Sequence, residues 1–405
     1  MNSEKYLDSG TTKNQPGKIY SYLIMLGHIC CDTNQSIVPF ILPFLVTQRG
    51  IDYASAAGLM FASSSLSSLI QPLLGMLADK KQRPWLMGAG ILITGIGISS
   101  IGFLQSYWGI FAAVMFAGFG SAMFHPEGGR MANCVAGAYK GRAMSNFTVG
   151  GNLGFVLGPV FGTLAITKFG LGGTAFVLVP TVIVVCLLFI LHKKLKEISD
   201  NSIRETANEG YVLEKTDDWK SFFRLLVSIF MRSIVQNGIQ TFIPLYWVGV
   251  LMQTQQRSGL MVTVIALAAT VTAFTGGRLA DRFGFRRVIQ LSFIGVAPMI
   301  VLMLKTRNIL LASVIVVFIV AMNQMGHSPS VVLGQKYLPN RVGLASGVTI
   351  GLAVSIGGIC SPILGKIGDN YGLSSAMYVI SIVGMLGFLG TLLIKRTSKE
   401  DELID

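Results

Sequence analysis

The feature that most constrains this chain is a series of twelve apolar stretches, each of about the length that a helix needs to cross a membrane. A hydrocarbon layer offers no water to the backbone, so each crossing segment must pair its own N–H and C=O groups, as a helix does. We therefore predict an all-α membrane protein with twelve transmembrane helices. The stretches lie in residues 19–46, 54–78, 85–104, 108–131, 143–166, 172–191, 222–250, 259–280, 288–304, 309–334, 343–367 and 372–394.

The composition supports this interpretation. Apolar residues make up 52% of the 405 residues, charged residues make up 13%, and the mean hydropathy is +0.62. A soluble chain would need an unusually large core to bury so much apolar surface. The five cysteines, Cys30, Cys31, Cys134, Cys186 and Cys360, have no metal-binding spacing and lie in or near apolar stretches, so we expect no metal site.

Lysine and arginine residues are distributed unequally between the two sides of the predicted bundle. The first 18 residues lack the apolar core and cleavage site of a secretory signal, so we expect both termini to be cytoplasmic. With that start, 24 of the 32 basic residues fall on the cytoplasmic side and 6 outside, while Arg130 and Arg232 lie inside helices. This asymmetry follows the positive-inside rule, and it accounts for the net charge of +13 without a nucleic-acid partner.

A charged segment between the sixth and seventh stretches, residues 192–221, is too polar to enter lipid. We interpret it as a cytoplasmic linker between two six-helix halves. The predicted organisation is a cytoplasmic tail at 1–18, an N-terminal six-helix bundle at 19–192, the linker at 193–220, a C-terminal six-helix bundle at 221–395 and a second cytoplasmic tail at 396–405.

The two halves repeat one another at a nearly constant offset. The segment GMLAD at 75–79 recurs as GRLAD at 277–281, and His125 recurs as His327, both at an offset of 202 residues. Near Pro159 the offset slips to 203. Many secondary transporters are built from such internal repeats, with the binding cavity at the interface between the repeats. We therefore expect two pseudo-symmetric bundles with the site between them.

The loops after the second and eighth predicted helices read GMLADKKQRP at 75–84 and GRLADRFGFRR at 277–287. They resemble the G-x-L-x-D-r-x-g-r-r motif of the major facilitator superfamily. The resemblance implies that these loops form a cytoplasmic gate latch, which breaks and reforms as the halves rock. The alternative is that the two aspartates only cap helices in a basic loop. The residues concerned are Gly75, Asp79, Lys80, Arg83, Gly277, Asp281, Arg282, Arg286 and Arg287.

The fifth predicted helix carries glycines at four-residue spacing, which create a flat ridge for tight packing, and a proline that bends the helix. Gly154, Gly158, Pro159 and Gly162 resemble the G-x-x-x-G-P-x-x-G-G element of antiporters in the same superfamily, with Thr163 in place of the final glycine. The resemblance implies transport in the export direction. Helix packing alone is the alternative explanation.

Three further motifs lie in the N-terminal half: HICCDTNQS at 28–36, QPLLG at 71–75 and GFGSAMFHPEGGR at 118–130. They are similar to motifs of the fosmidomycin resistance protein family of bacterial drug exporters, and VGGNLG at 149–154 continues the similarity. In the C-terminal half, the resemblance depends mainly on the gate loop and residues 338–343. It implies proton-driven efflux of a small molecule.

Two predicted helices carry polar residues along one face at membrane depth. In the first helix, His28, Asp32 and Gln35 are four and three residues apart, and in the seventh, Arg232 and Gln236 are four apart. A charge at the bilayer centre costs about 2.5 to 3.5 kcal/mol, so such a residue persists where it faces protein or water. We expect these two polar surfaces to face each other across a cavity.

Asp32 is the residue that we expect to bind the coupling proton, with His28 and Glu127 as further candidates. Burial favours the protonated form of a carboxyl group, whereas a positive charge on His28 or Arg232 favours the ionised form of Asp32. Movement between the halves can therefore change whether Asp32 holds a proton. The alternatives are that Asp32 is a permanently paired structural charge and that His28 is an ordinary core histidine. For Glu127, the alternative is that Arg130, three residues away, neutralises its carboxylate.

The substrate cavity is expected to be lined by polar and charged residues from both halves, with ordinary packing as the alternative for the histidine and asparagine of the C-terminal half. Arginine and histidine favour an anionic substrate such as a phosphonate. The expected lining residues are Gln35, His125, Arg130, Arg232, Gln236, Gln240, Asn323 and His327.

The sequence contains neither a P-loop nor an H-E-x-x-H motif, which excludes the ATP-driven pumps and zinc proteases that depend on them. We predict no enzyme activity and no cofactor. The predicted function is a proton-coupled antiporter that exports a small drug-like or anionic compound by alternating access, as a monomer in a bacterial plasma membrane. The alternatives are a proton-coupled importer or exporter of a metabolite, sugar or metallophore, and a membrane sensor that transports nothing.

Overall fold

The computed structural model describes residues 16–80, 83–135, 140–206, 216–341, 344–345 and 347–395, and all regular structure within these ranges is helical. Six long helices form the N-terminal half, and a 3₁₀ segment, Gly170–Val177, joins the last two. In chain order these helices are α1 (Pro16–Arg49), α2 (Tyr53–Lys80), α3 (Trp85–Ser100), α4 (Tyr107–Cys134), α5 (Lys140–Phe169) and α6 (Leu178–Ile190).

The C-terminal half follows a short helix of the linker, α7 (His192–Thr206). Two of its membrane crossings are each built from two consecutive helices, and a π-helical turn, Gly347–Leu352, leads into another. The helices are α8 (Trp219–Gly249), α9 (Gln255–Phe283), α10 (Phe285–Ile294), α11 (Val296–Lys305), α12 (Ile309–Met325), α13 (His327–Tyr337), α14 (Ala353–Tyr371) and α15 (Leu373–Thr391).

Within the described residues, 10 helical segments are long and apolar enough to cross a membrane. One of them, Asn146–Ile190, has 45 residues and contains both α6 and most of α5, so it crosses twice. Helix α2, with 28 residues, adds the remaining crossing. The predicted fold class, twelve membrane helices in two six-helix halves, is confirmed.

The repeat seen in the sequence extends to the backbone. Gly50, between α1 and α2, has a φ of 66°, and Met252, between α8 and α9, has a φ of 53°. Gly170 follows α5 with a φ of 60°, and Gly372 follows α14 with a φ of 85°. The members of each pair are 202 residues apart, the same offset as the sequence motifs. Left-handed turns at matching positions are expected if both halves descend from one repeat.

The two halves contact each other at the end of the bundle where α1 ends and α2 and α9 begin, which we call the closed end. The Asp369 carboxylate in α14 accepts hydrogen bonds from the backbone N–H groups of Tyr53, at 2.7 Å, and Ala54, at 2.9 Å. The side chains of Thr47 and Gln255 are also hydrogen-bonded across this end. These contacts join α2 to α14 and α1 to α9.

The first part of the predicted linker is an amphipathic helix, α7, which the sequence analysis does not anticipate. Leu195 is 1% exposed and Ser199 is 0% exposed, because both face the N-terminal half. Lys194 and Glu197 form an exposed ion pair on the outer face, with an N···O distance of 2.8 Å. The linker is therefore attached to the N-terminal half over its first turns.

Candidate functional site

The Asp32 carboxylate lies between two imidazole rings inside the N-terminal half. His28 is one turn earlier on α1, and its Nε2 is 3.2 Å from Asp32 Oδ2, as the four-residue spacing predicts. His125, on α4, places its Nε2 at 3.1 Å from Asp32 Oδ1. The structure thus brings His125, which the sequence analysis assigned to the substrate cavity, into direct contact with the expected proton-binding residue.

The second nitrogen of each imidazole is also hydrogen-bonded. His28 Nδ1 is 2.7 Å from the backbone carbonyl oxygen of Phe147 on α5, and the two rings stack with their centroids 4.0 Å apart. His125 Nδ1 is 3.0 Å from both the hydroxyl and the carbonyl oxygen of Ser121. Sequence reasoning did not identify Phe147 or Ser121, because backbone carbonyl and serine partners leave no distinctive pattern.

Glycines of α5 allow that helix to approach the polar face of α1. A Cβ atom on Gly151 would lie 2.7 Å from His28 Nε2 and 2.9 Å from Asp32 Oδ2, and one on Gly154 would lie 2.7 Å from Asp32 Cβ. Farther along, Gly158 packs on Ser36 and Gly162 on Phe40. Side chains at these positions would displace α1. Gly151 and the antiporter-like Gly154 therefore form the surface against which the Asp32 site is held.

Glu127 and Arg130 form a separate buried pair on α4. Glu127 is 0% exposed, and Arg130 donates hydrogen bonds to both of its carboxylate oxygens. Arg130 also donates to the hydroxyl of Ser199 on α7, at 2.7 Å. A bidentate pair of this kind satisfies most of the bonding capacity of both groups. The structure thus connects Arg130 to the linker helix, α7.

A second polar cluster lies in the C-terminal half. Asn323 Nδ2 donates to Gln236 Oε1 at 2.6 Å, which joins α12 to α8. Arg232, one turn before Gln236, is 6% exposed, and its guanidinium lies within electrostatic range of His327. Among the described residues, Nε of Arg232, Nδ1 of His327 and Oδ1 of Asn323 are buried without a hydrogen-bond partner. Buried polar atoms are normally paired, so this cluster has bonding capacity to spare.

The remaining predicted cavity residues are partly buried. Gln35, on α1, accepts a hydrogen bond from the Ser63 hydroxyl of α2 at 3.0 Å. Gln240 lies two turns after Arg232 on α8 and is half-buried. The eight predicted residues therefore divide into the Asp32 surroundings, the Arg130 pair and the cluster on α8, α12 and α13.

The gate-motif residues lie at the ends of α2 and α9. The side chains of Asp79, Lys80 and Asp281 lie outside the described residues, so the predicted latch stays a prediction. Gly75 also falls in that part of α2. Arg83, Gly277, Arg282, Arg286 and Arg287 are described at or after these helix ends, and Gly284 turns the chain between α9 and α10 with a φ of 90°.

One set of described side chains has the donor types of a metal site. His28, Asp32 and His125 each offer one ligand atom, all within 4.8 Å of one another. Each imidazole, however, contacts a different oxygen of Asp32 at hydrogen-bonding distance. The three groups are therefore arranged as two close N···O contacts to one shared carboxylate.

A family model described as Major Facilitator Superfamily matches residues 24–348 and 225–404 of this chain. The chain is 31% identical over 390 residues to the "Uncharacterized MFS-type transporter YfnC" of Bacillus subtilis, covering 94% of this chain and 95% of that protein. It is 28% identical to the "Fosmidomycin resistance protein" of Escherichia coli, covering 90% of both.

A solved structure with a similar fold is that of a bacterial homologue of the human lysosomal transporter Spinster, described as inward-facing and occupied. Its TM-score against this chain is 0.78 at 13% sequence identity, and the match covers 96% of this chain and 99% of that chain. At this identity the similarity concerns the fold alone.

Proposed function

This chain belongs to the major facilitator superfamily of membrane transporters, and we propose that it is a proton-coupled antiporter that exports a small drug-like or anionic compound by alternating access. The observation that carries the proposal is the pairing of two sites. A buried carboxylate between two imidazoles lies in one half, and a buried arginine with spare bonding capacity lies in the other.

Proton coupling requires a buried group whose protonation can respond to conformation. Asp32 is 4% exposed, and both of its neighbours are imidazoles, the side chains that proteins most often use to exchange protons. A carboxylate that served only as a fixed structural charge would be expected to pair with a permanent cation such as arginine. Two histidines instead make the charge of the cluster depend on protons, which supports Asp32 and His28 as the coupling site.

Glu127 has a different environment. Its two oxygens are occupied by the Arg130 guanidinium, a group that stays protonated at physiological pH. This pairing supports the neutralisation alternative over a second proton site. We therefore assign Glu127 and Arg130 to the structure of the N-terminal half, next to α7.

The C-terminal cluster has the chemistry of an anion site. Arg232 provides a buried cation, and burying an unpaired charge costs several kcal/mol unless a partner joins it. A phosphonate or carboxylate group would supply that partner. His327 Nδ1 and Asn323 Oδ1 add polar groups that would orient the rest of the substrate. Fosmidomycin, a phosphonate, is therefore a suitable first probe.

Alternating access requires the contacts between the halves to be breakable. The contacts at the closed end include hydrogen bonds, such as those of Asp369 and Thr47, which can exchange with water. With the termini in the cytoplasm of a bacterial cell, the closed end faces outward. The monomer then presents its two polar sites to the cytoplasm, where an exporter loads substrate.

The proposal is tested in inverted membrane vesicles that contain the wild-type chain, with the vesicle interior made acidic. A proton-coupled exporter accumulates fosmidomycin, an importer releases preloaded fosmidomycin, and a sensor does neither. We expect Asp32→Asn to abolish accumulation against a gradient. Asp52→Asn, which alters an exposed carboxylate between α1 and α2, serves as the matched control and should transport like the wild type. Accumulation by Asp32→Asn at the wild-type level would contradict the coupling assignment.

A further inference from the structure

The three ionisable residues of the Asp32 cluster differ in their access to water. The side chain of Asp32 is 5% exposed and that of His28 is 9% exposed, whereas that of His125 is 27% exposed. We propose that His125 is the proton-transfer residue through which the Asp32–His28 pair is loaded and unloaded. This inference depends on the proposed proton coupling, and it gives His125 a role distinct from substrate binding.

The tautomer of His28 follows from its partners. The carbonyl oxygen of Phe147 can only accept a hydrogen bond, so His28 Nδ1, 2.7 Å away, carries a proton and donates it. In the neutral ring, Nε2 then presents a lone pair to Asp32 Oδ2 at 3.2 Å, where the carboxylate also presents one. A hydrogen bond at this contact requires one more proton. The His28–Asp32 contact is therefore the place where the structure accommodates the added proton.

The position of His125 allows it to exchange protons in both directions. Its Nδ1 is 3.0 Å from two atoms of Ser121, the hydroxyl, which can donate, and the carbonyl oxygen, which accepts. When Nδ1 is unprotonated, the hydroxyl donates to it, and Nε2–H donates to Asp32 Oδ1. When Nδ1 is protonated, it donates to the carbonyl. Both tautomers thus find a partner without movement of the backbone, as a proton relay requires.

The transfer balances as a sequence of three steps. A proton from cavity water binds Nδ1 of neutral His125 and gives an imidazolium. The imidazolium releases the proton on Nε2 to Asp32 Oδ1, 3.1 Å away, and remains as the neutral Nδ1–H tautomer. Rotation of the protonated carboxyl group about its Cβ–Cγ bond then brings this proton to the oxygen position that faces His28 Nε2, so that the pair has gained one proton and His125 has gained none. His125 regains its first tautomer by exchange with water, in which Nε2 binds one proton and Nδ1 releases one, so that the ring gains no net proton.

The surroundings of the relay contain few other charges. The ionisable groups that act on Asp32 among the described residues are the two imidazoles, and the Cys31 thiol is its neighbour on α1. Helix α5 contributes the Phe147 carbonyl and Gly151, which leaves room for the contact. The other charged groups of α4, Glu127 and Arg130, neutralise each other.

The test follows proton uptake without a transported substrate. Detergent-purified protein is subjected to a pH jump, and the infrared bands of carboxyl and imidazole groups that disappear in Asp32→Asn and His28→Gln are recorded with time. We expect His125→Gln to slow protonation by on the order of 10²-fold, the usual contribution of a positioned acid–base group, with the same final extent. His192→Gln, at the start of α7 and away from the cluster, should match the wild type.

A second variant separates proton transfer from packing. Added imidazole should restore the rate in His125→Ala, because a small buffer can replace a partly exposed ring, whereas a purely structural defect would not respond. Wild-type rates in His125→Gln, or no effect of imidazole on a slowed His125→Ala, would overturn the inference. Failure of the proposed function gives a different result, since wild-type protein would then take up no protons at Asp32 or would show no transport driven by a pH gradient.

Discussion

The carboxylate of Asp369, near the end of α14, accepts the backbone N–H of Tyr53 at the start of α2 with a 2.7 Å separation. A second hydrogen bond, from Ala54, uses the other carboxylate oxygen. Because a helix leaves its first N–H groups without internal partners, an anion at that position satisfies them and interacts favourably with the helix dipole. Here the anion comes from the opposite half of the molecule, so the same contact also joins the halves.

We predict that Asp369→Ala weakens the closed end. Hydrogen bonds to a charged acceptor contribute about 1.5 kcal/mol or more, which corresponds to roughly a tenfold fall in the ratio of closed to open molecules. The measurement is disulfide formation between Thr47→Cys and Gln255→Cys, whose parent side chains are hydrogen-bonded at this end. The exposed Asn370→Ala is the control, and an unchanged cross-linking yield in Asp369→Ala would argue against this role.

Gly154→Ala is expected to destabilise the N-terminal half, because the new Cβ would lie 2.7 Å from that of Asp32. Overpacking of this kind costs about 1 to 3 kcal/mol. Thermal unfolding of the purified protein should therefore show a lower Tm. Gly172→Ala provides the matched control, since nothing lies within 4 Å of a Cβ at Gly172. Equal Tm values for the two variants would contradict this prediction, because they would show that α1 and α5 can move apart without a loss of stability.

The buried pair on α4 predicts non-additive mutational effects. Arg130→Ala leaves Glu127, which is 0% exposed, without its cation, and breaking a buried pair in this way costs about 3 to 5 kcal/mol. Removing both partners in Glu127→Ala/Arg130→Ala avoids the uncompensated charge. The double variant should unfold at a higher temperature than Arg130→Ala alone. Additive losses in the cycle of single and double variants would be incompatible with a coupled pair.

Arg232 should show opposite effects on stability and on binding. Its guanidinium is buried, and its Nε has no hydrogen-bond partner among the residues that the structure describes, so Arg232→Gln should raise the Tm by relieving an unpaired charge. The same change should abolish the protection that fosmidomycin, as an anionic ligand, gives against thermal unfolding. Arg224→Gln, on the same helix but outside the cluster, is the control. Ligand protection that persists in Arg232→Gln would remove Arg232 from the substrate site.

The membrane helices and their duplication could be predicted because both depend on patterns within short stretches of the sequence. Apolar length defines each crossing, and the 202-residue offset survives in short motifs such as that ending in Asp79. The His28–Asp32 contact was also within reach, since four-residue spacing places both on one helix face. These predictions need no knowledge of how distant helices meet.

Contacts between distant helices were not predictable in the same way. His125 meets Asp32 across 93 residues, and nothing in either local sequence specifies which helix lies opposite. From the sequence, His125 was predicted only to line the substrate cavity. Gly151 belongs to a segment that the sequence analysis identified by resemblance. The reason for a glycine there is the close approach of α5 to Asp32, and that approach depends on packing along the whole of both helices. The Asp369 contact could not be predicted from the sequence for a further reason, because its partners are backbone N–H groups.

The contacts within the Asp32 cluster have a consequence for the proton coupling that we propose. Asp32, His28, His125, Phe147 and Ser121 all belong to α1, α4 and α5 of the same half. Rotation of one half against the other as a rigid body therefore leaves every distance within the cluster intact. In the mechanism that we propose, the rotation would change the access of water to His125 and the separation from Arg232. Energy transduction would then arise from a rigid proton-binding group that is exposed to one aqueous compartment at a time.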